Sequence, residues 1–211
     1  MRGYMHRLNL EQHINRGEYH VLVKSQLCDV LVTAQAVGGT YKTVSNDEPC
    51  ARLSRVHLVC GAAERELAET LAVQSREARS HHGQVSPCGD DLLAANRAQE
   101  IAAQLKFYLE GETQDLPRLT DDELSYKTPF AREVWQALIN IPYGHVATYG
   151  EIAKAIGNPR AYRAVAQAAR ANELLLVVPC HRLVAADGIG GFWPGADLKR
   201  ALMKHEGIDW R

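Results

Sequence analysis

The spacing of apolar residues predicts both strands and helices in the first half of the chain. Runs rich in β-branched residues predict strands, and apolar positions four residues apart among Glu and Arg predict helices. The predicted strands are Tyr19–Val23, Val30–Ala34 and Val56–Val59, with Tyr41–Val44 as a candidate hairpin partner after a Gly38-Gly39 turn. The predicted helices are Ala62–Arg79 and Asp90–Glu110. These patterns favour an α/β domain over residues 1–111, followed by an acidic and polar linker over residues 112–127.

The pattern over residues 128–211 is mainly helical. Thr128-Pro129 is typical of a helix cap followed by a first helical position. Thr148-x-x-Glu151 is a capping box, which predicts a helix from Tyr149 to about Ile156. Asn158-Pro159 is expected to cap and begin a second helix, which then runs to about Ala171. Two short helices joined by a three-residue turn indicate a helix-turn-helix.

The second of these helices combines small side chains with regularly spaced arginines. Arg160, Arg163 and Arg170 lie near one face, and residues such as Ala164 leave room for the backbone to approach a surface closely. Arginines on such a face can bind phosphates. An alanine-rich core helix with solvated arginines is the alternative interpretation of the same pattern.

A reactive thiol is predicted where the next apolar run ends. Residues Leu174–Val178 read as a short buried strand that stops at Pro179, and Cys180, His181 and Arg182 follow directly. Neighbouring positive charge lowers the pKa of a thiol and favours the nucleophilic thiolate. A glycine-rich loop over residues 187–195 and a last helix over Asp197–His205 complete the chain.

Composition restricts the binding partners and the cellular compartment that are expected for this protein. The chain has 211 residues and a net charge of −1, so a nucleic-acid partner would have to be held by locally concentrated basic residues. Its first residues are not apolar enough for a signal peptide, and no run suits a membrane span, so we expect a soluble, cytoplasmic protein. The five cysteines fit a reducing compartment.

A zinc site in the first half is a weaker interpretation. Cys28, Cys50, Cys60 and Cys88 lie there, and His57-x-x-Cys60 and His81-His82 add potential ligands. No tight Cys-x-x-Cys knuckle is present, so buried structural thiols are preferred over a metal.

Four motifs in order resemble the O6-alkylguanine-DNA alkyltransferases, from about residue 128 to residue 207. These motifs are Thr128-Pro129-Phe130 with Val134-Trp135, Gly157-Asn158-Pro159 with Arg163-Ala164-Val165, Pro179-Cys180-His181-Arg182, and Lys204-His205-Glu206-Gly207. The resemblance implies an α/β N-terminal domain and a mainly helical C-terminal domain with a helix-turn-helix and a short active-site strand. It also implies single-turnover transfer of an alkyl group from O6-alkylguanine in duplex DNA to Cys180, with O4-alkylthymine as an alternative substrate.

The resemblance further assigns roles to individual residues. Cys180 is the nucleophile, His181 its base through a water molecule, Glu206 the group that orients His181, and Asn172 the tie between the helix-turn-helix and the active-site strand. The residues expected to bind DNA are Tyr149, Arg160, Arg163, Ala164, Arg170 and Arg182. Arg163 fills the stack after the base is flipped out, and Tyr149 presses on the adjacent phosphate. The residues expected to line the base pocket are Tyr149, Leu183, Phe192 and Trp193, with Trp193 favouring methyl over benzyl adducts.

Three other functions share parts of these patterns. A non-enzymatic protein that recognises alkylated DNA would lack the cysteine, and a helix-turn-helix transcription regulator would need no reactive thiol. A Cys-His hydrolase would turn over small acyl substrates and tolerate loss of Arg163. The expected partner is duplex DNA that contains O6-alkylguanine, bound by a monomer without cofactor or metal.

Overall fold

The N-terminal part is a three-stranded antiparallel sheet covered by helices on both faces. The computed structural model describes residues 18–36, 51–59, 62–81 and 89–210. The strands are β1 (Glu18–Val23), β2 (Asp29–Ala36) and β3 (Ala51–Val59), in the order β1-β2-β3. The three predicted strands are confirmed, and β3 begins five residues earlier than its predicted counterpart. The Gly38-Gly39 turn and the Tyr41–Val44 partner lie outside the described residues.

Alternation along β2 explains why both faces of the sheet are buried. Val30 and Val32 pack towards helix α2 (Gly89–Leu109), whereas Leu31 between them packs towards helix α1 (Ala62–His81). Successive side chains of a strand point to opposite faces, so a run of apolar residues serves two helices at once. Both helices were predicted from their apolar spacing.

The C-terminal part is built from short helices. These are α3 (Asp121–Ser125), α4 (Pro129–Ile139), α5 (Tyr149–Ala155), α6 (Tyr162–Arg170) and α7 (Ala196–His205). Strands β4 (Ala147–Thr148) and β5 (Leu183–Val184) form one short parallel pair. Helix α3 lies within the segment predicted as a linker, and its residue Glu123 is buried. One continuous apolar core joins the sheet, α2 and the C-terminal helices.

The helix-turn-helix has the predicted first helix and a later second helix. The capping box of Thr148 and Glu151 is confirmed at the start of α5. The prediction that Asn158 caps the second helix is wrong, because its backbone N–H bonds to the carbonyl of Ala153 and closes the end of α5. Helix α6 therefore begins at Tyr162, two residues after Arg160, with no side-chain cap.

The apolar run Leu174–Val178 is not the predicted strand. Its middle residue Leu176 has a φ of 70°, and the carbonyl of Leu174 accepts from the N–H of Val178, so the segment turns back on itself. Its start is attached to the edge of β3, where the Val56 N–H donates to the carbonyl of Glu173 at 2.8 Å. The residues before Cys180 are thus fixed to the N-terminal sheet.

Neither a membrane span nor a metal cluster is found in residues 18–36, 51–59, 62–81 and 89–210. None of the helices there combines the length and apolar character that crossing a membrane requires. No three His, Cys, Asp or Glu side chains in these ranges come together as metal ligands. Cys28 is buried, as expected of a structural thiol, and Cys50, Cys60 and Cys88 lie outside the described residues.

Candidate active site

Cys180 begins a single 3₁₀ turn, Cys180–Arg182, and is 7% exposed. Burial raises the pKa of the Cys180 thiol above its ordinary value, and the hydrogen bond from Asn172 and the charge of Lys199 oppose that rise. The prediction that His181 and Arg182 lower this pKa is wrong, because both side chains turn towards Glu206. Cys180 is therefore a thiol at rest that needs a proton acceptor before it reacts.

Asn172 connects the end of α6 to the nucleophile. Its side-chain N–H groups donate to Cys180 Sγ at 3.1 Å and to the carbonyl of Val178 at 2.8 Å. Its side-chain oxygen accepts from the N–H of Leu174 at 2.9 Å. One buried amide thus holds both ends of the segment Leu174–Val178 and the sulfur that follows it, in the place where the family resemblance predicts such a tie.

The ring of His181 is completely buried and is oriented by a carboxylate. Its Nε2 lies 2.8 Å from Glu206 Oε1, and its Nδ1 has no hydrogen-bond partner in the part of the chain that the structure describes. Burial lowers the pKa of His181, and the carboxylate opposes this effect. A neutral ring that donates through Nε2 keeps a lone pair on Nδ1. His181 is thereby set up to accept a proton.

Glu206 lies at the end of α7, where Gly207 adopts a φ of 73° and the chain leaves the helix. Arg182 donates to both carboxylate oxygens, through Nε at 2.9 Å and Nη2 at 2.9 Å. Burial raises the pKa of Glu206, but the hydrogen bonds from His181 and Arg182 outweigh it and bring the pKa to about 2. Glu206 is a carboxylate at every physiological pH.

Arg182 was predicted to bind DNA, and this prediction is wrong. The side chain is 4% exposed, and its remaining guanidinium nitrogen donates to the carbonyl of Ile141 at 2.7 Å. Each of its three guanidinium nitrogens donates to an acceptor inside the protein, and the side chain has almost no surface with which to meet a phosphate. The guanidinium instead fixes the carboxylate that orients His181.

Lys199 is a buried cation that the sequence analysis missed. Its ammonium donates to the carbonyls of Leu183 and Ile189, the latter at 2.6 Å, and so holds the glycine-rich loop against α7. Burial lowers its pKa to about 8, and a charge on Cys180 would raise it. The spacing contains the signal: Lys199, Leu202, Met203 and Glu206 share one buried face of α7.

The glycine-rich loop meets the first helix of the helix-turn-helix. The Tyr149 hydroxyl accepts from the N–H of Gly191 at 3.2 Å. Gly190, with a φ of 73°, leaves room for that hydroxyl, since a Cβ there would lie 3.0 Å from it. Phe192 packs against the core, and its place in the base pocket stays a prediction.

Two predicted pocket residues are placed differently from expectation. Leu183 is 1% exposed and pairs with Ala147 in the core, so it is not accessible from solvent. Trp193 is 43% exposed, and its ring centroid lies 5.2 Å from that of His57 on β3. The loop that carries Trp193 therefore rests on the N-terminal sheet.

Helix α6 presents the predicted basic surface. Val165 and Ala168 are its buried positions, and the exposed positions include those expected to bind DNA: Arg160 just before the helix, Arg163, Ala164 and Arg170. The guanidinium of Arg163 lies 5.7 Å from the ring centroid of Tyr162. This division between faces fits both a DNA-binding surface and the alternative of a core-packed helix with solvated arginines, because the helix is buried on one side only. The acidic Glu173 next to this surface is paired with Lys127 at 2.6 Å.

Comparison with known proteins places this site in a family. Residues 129–208 match the family model described as 6-O-methylguanine DNA methyltransferase, DNA binding domain. The chain is 45% identical over 111 residues to a methylated-DNA–protein-cysteine methyltransferase of Methanosarcina acetivorans, covering 52% of this chain and 69% of that protein. It is 49% identical over 120 residues to the Salmonella typhimurium protein of the same name, covering 56% and 69%. A crystal structure of Mycobacterium tuberculosis OGT in complex with DNA matches with a TM-score of 0.56 and 26% identity, over 89% of this chain and 92% of that one.

Proposed function

The chain belongs to the methylated-DNA–protein-cysteine methyltransferase family, and on that premise we propose that it repairs O6-alkylguanine in duplex DNA by moving the alkyl group to Cys180. The observation that carries this proposal is the set of hydrogen bonds around the thiol of Cys180 and the imidazole that follows it. Cys180 Sγ is held by Asn172, and His181 beside it is oriented by Glu206. O4-alkylthymine presents the same alkyl–oxygen bond and is the second proposed substrate.

The reaction exchanges one bond for another. The thiol proton of Cys180 goes to His181, and the sulfur attacks the alkyl carbon attached to O6 of the base. A sulfur–carbon bond forms as the carbon–oxygen bond breaks, and the bonding pair leaves with the guanine. His181 then returns the proton through water to the released base, so the thiol proton ends on the guanine. Glu206 stabilises the imidazolium that forms on His181, as a carboxylate does beside other catalytic imidazoles. The ammonium of Lys199 stabilises the developing thiolate, because the two charges attract each other inside a buried site.

The basic surface of α6 is proposed to present the damaged nucleotide to this thiol. A base inside a duplex cannot reach a buried sulfur, so it has to be flipped out of the stack first. Arg163 is exposed in the first turn of α6, where it can fill the vacated space, and Arg160 and Arg170 can bind phosphates. Tyr149 at the start of α5 is proposed to press on the neighbouring phosphate.

Transfer to sulfur makes each molecule act once. The product is a thioether, whose carbon–sulfur bond offers no easy route back to the free thiol. The proposed chemistry is therefore stoichiometric and needs no cofactor. A cytoplasmic location at the nucleoid is part of the proposal, since the substrate is chromosomal DNA.

The proposed function can be tested by measuring repair of the DNA, as the recovery of restriction-enzyme cleavage. A duplex whose cleavage is blocked by a single O6-methylguanine is incubated with increasing amounts of protein. We expect cleavable DNA to plateau at one molecule per molecule of protein, and Cys180→Ser to restore none. Cleavage that continues beyond that ratio would indicate a turnover hydrolase, and binding without restored cleavage would indicate lesion recognition alone.

The role of the basic surface is tested by comparing two substrates. Arg163→Ala is expected to slow repair of duplex DNA by about 100-fold and to leave reaction with free O6-benzylguanine within about twofold, since the free base needs no flipping. Arg170→Ala on the same helix is the matched control for loss of one phosphate contact. Equal slowing on both substrates would contradict a role in flipping.

A further inference from the structure

A tyrosine of the N-terminal part reaches the carboxylate of the active site. Tyr108 lies in the last turn of α2, is completely buried, and donates its hydroxyl proton to Glu206 Oε1 at 2.5 Å. Its ring meets the rings of Tyr143 and His205 edge-on, with centroids 6.3 and 5.3 Å away. The position of the hydroxyl is therefore fixed by packing on two sides.

The same residue is tied to α7 a second time. The carbonyl of Tyr108 lies 2.8 Å from His205 Nε2, and His205 immediately precedes Glu206. One tyrosine thus contacts two consecutive residues at the end of α7, through its backbone and through its side chain. Any shift of α2 relative to α7 would move the carboxylate.

Tyr108 shares its acceptor with the proposed base. Glu206 Oε1 accepts from Tyr108, from His181 Nε2 at 2.8 Å and from Arg182 Nη2 at 2.9 Å. A carboxylate oxygen that accepts several hydrogen bonds offers less charge to each donor. The hydroxyl therefore weakens the pull of Glu206 on His181 while it holds the carboxylate in place.

We propose that Tyr108 is a positioning residue of the alkyl transfer, which acts on His181 through Glu206 and brings the N-terminal part into the active site. This inference rests on the proposed function. It assigns to α2 a chemical role in addition to covering the sheet. Burial and the charge of Glu206 both raise the pKa of Tyr108, so the hydroxyl remains a donor throughout the working pH range.

The test compares two tyrosines of the same cluster. Tyr108→Phe removes the hydroxyl that binds Glu206 and keeps the ring. Tyr143→Phe is the matched control, because the Tyr143 hydroxyl donates to the backbone carbonyl of His205 at 3.0 Å and not to the carboxylate. The measurements are the single-turnover rate of methyl transfer from pH 5 to pH 9 and the titration of the His181 ring nitrogens by NMR.

Tyr108→Phe is expected to slow transfer by about tenfold, the scale of one hydrogen bond to a charged group. With one donor fewer, Glu206 pulls harder on His181, so the pKa of His181 rises and the acid limb of the rate profile moves to higher pH. Tyr143→Phe is expected to change neither quantity. The NMR spectrum also reports whether each variant is folded.

Two results would overturn the proposal. One is a His181 titration that is the same in Tyr108→Phe and in the unsubstituted protein. The other is an equal change in both variants, which would indicate packing alone. If the unsubstituted protein transferred no methyl group, the proposed function would fail, and the His181 titration would still decide whether Tyr108 acts on His181.

Discussion

Two buried carboxylates, Glu123 and Glu206, have similar surroundings but different roles, one structural and one in the active site. Glu123 is 1% exposed, pairs with Arg97 through Nε and Nη2 at 2.9 and 2.8 Å, and accepts from the backbone N–H groups of Leu53 and Thr120. Glu206 is 4% exposed and pairs with Arg182 in the same forked manner. In both, burial raises the pKa of the carboxyl, and the hydrogen bonds outweigh burial and lower it.

The difference lies in the other donors. Glu123 receives backbone N–H groups from β3 and from the start of α3, so it joins elements of the fold. Glu206 also accepts one backbone N–H, from Gly144 at 3.3 Å, but in addition it receives the ring of His181 and the hydroxyl of Tyr108, groups that can move protons or tune a base. A buried ion pair alone therefore says little about function, and the partners beyond the arginine distinguish a structural carboxylate from a catalytic one.

Replacing each carboxylate by its amide should separate the two roles most strongly. Glu206→Gln is expected to lower the free energy of unfolding by about 3 kcal/mol, because it leaves the buried guanidinium of Arg182 without its carboxylate. Glu123→Gln is expected to lower it by about 2 kcal/mol, because Arg97 is partly exposed and keeps its ion pair with Glu100. Only Glu206→Gln should also slow methyl transfer, by about 100-fold or more, because His181 loses its orienting partner. Urea unfolding and single-turnover rates check this. Slow transfer in Glu123→Gln that is still folded would contradict the distinction.

Acid should weaken the protein through both carboxylates. The pKa of Glu206 is about 2 in the folded protein against an ordinary 4.5, so its contribution to stability is present above pH 4.5 and is lost as the pH falls towards 2. Glu123 is shifted in the same direction. The free energy of unfolding, measured by urea titration across this range, should therefore fall with pH, by about 3 kcal/mol for Glu206 alone. An unchanged slope in Glu206→Gln would contradict the assignment.

Arginine geometry should matter less than the carboxylates themselves. Arg182→Lys and Arg97→Lys keep the charge and lose the forked pair of hydrogen bonds. Each is expected to lower the free energy of unfolding by about 2 kcal/mol, and Arg182→Lys should also slow transfer by about tenfold. The same rate and stability measurements apply. A transfer rate in Arg97→Lys as low as in Arg182→Lys would go against the comparison.

A third carboxylate, Glu173, is expected to have the smallest effect on function and stability when it is replaced. Its side chain is 46% exposed and paired with Lys127, next to the basic surface of α6. Because Lys127 already offsets its charge, Glu173→Gln should change the affinity for duplex DNA by no more than about twofold and stability by less than about 1 kcal/mol. Fluorescence anisotropy with labelled duplex measures the affinity. A tenfold gain would mean that Glu173 repels DNA.

Local rules were enough for much of the fold. The capping box at Thr148 and the cap at Thr128 are contacts between neighbouring residues, and the structure has both. The alternating burial of β2 follows from period-two spacing. The hydrogen bonds between Asn172 and Cys180 and between His181 and Glu206 agree with the tie and the orienting contact that the motifs implied.

The predictions that were wrong, and the contact that was missed, depend on residues far apart in the sequence. The run Leu174–Val178 has the composition of a strand, but its attachment to β3 and the φ of 70° at Leu176 make it a turn. Arg182 follows Cys180 and His181 in the active-site motif, and only the folded chain brings Glu206 and Ile141 to it. Tyr108 has the spacing of a core residue of α2, and nothing local marks its hydroxyl as a partner of a carboxylate 98 positions away.

The most direct test of the account is the mass of the intact protein after mixing with a duplex that contains O6-methylguanine. We expect a gain of one methyl group, about 14 Da, located on Cys180 by peptide mapping and absent from Cys180→Ser. Glu123→Gln should gain the same mass at the normal rate, and Glu206→Gln should gain it far more slowly. No gain in the unsubstituted protein, or a gain on any residue other than Cys180, would contradict this account.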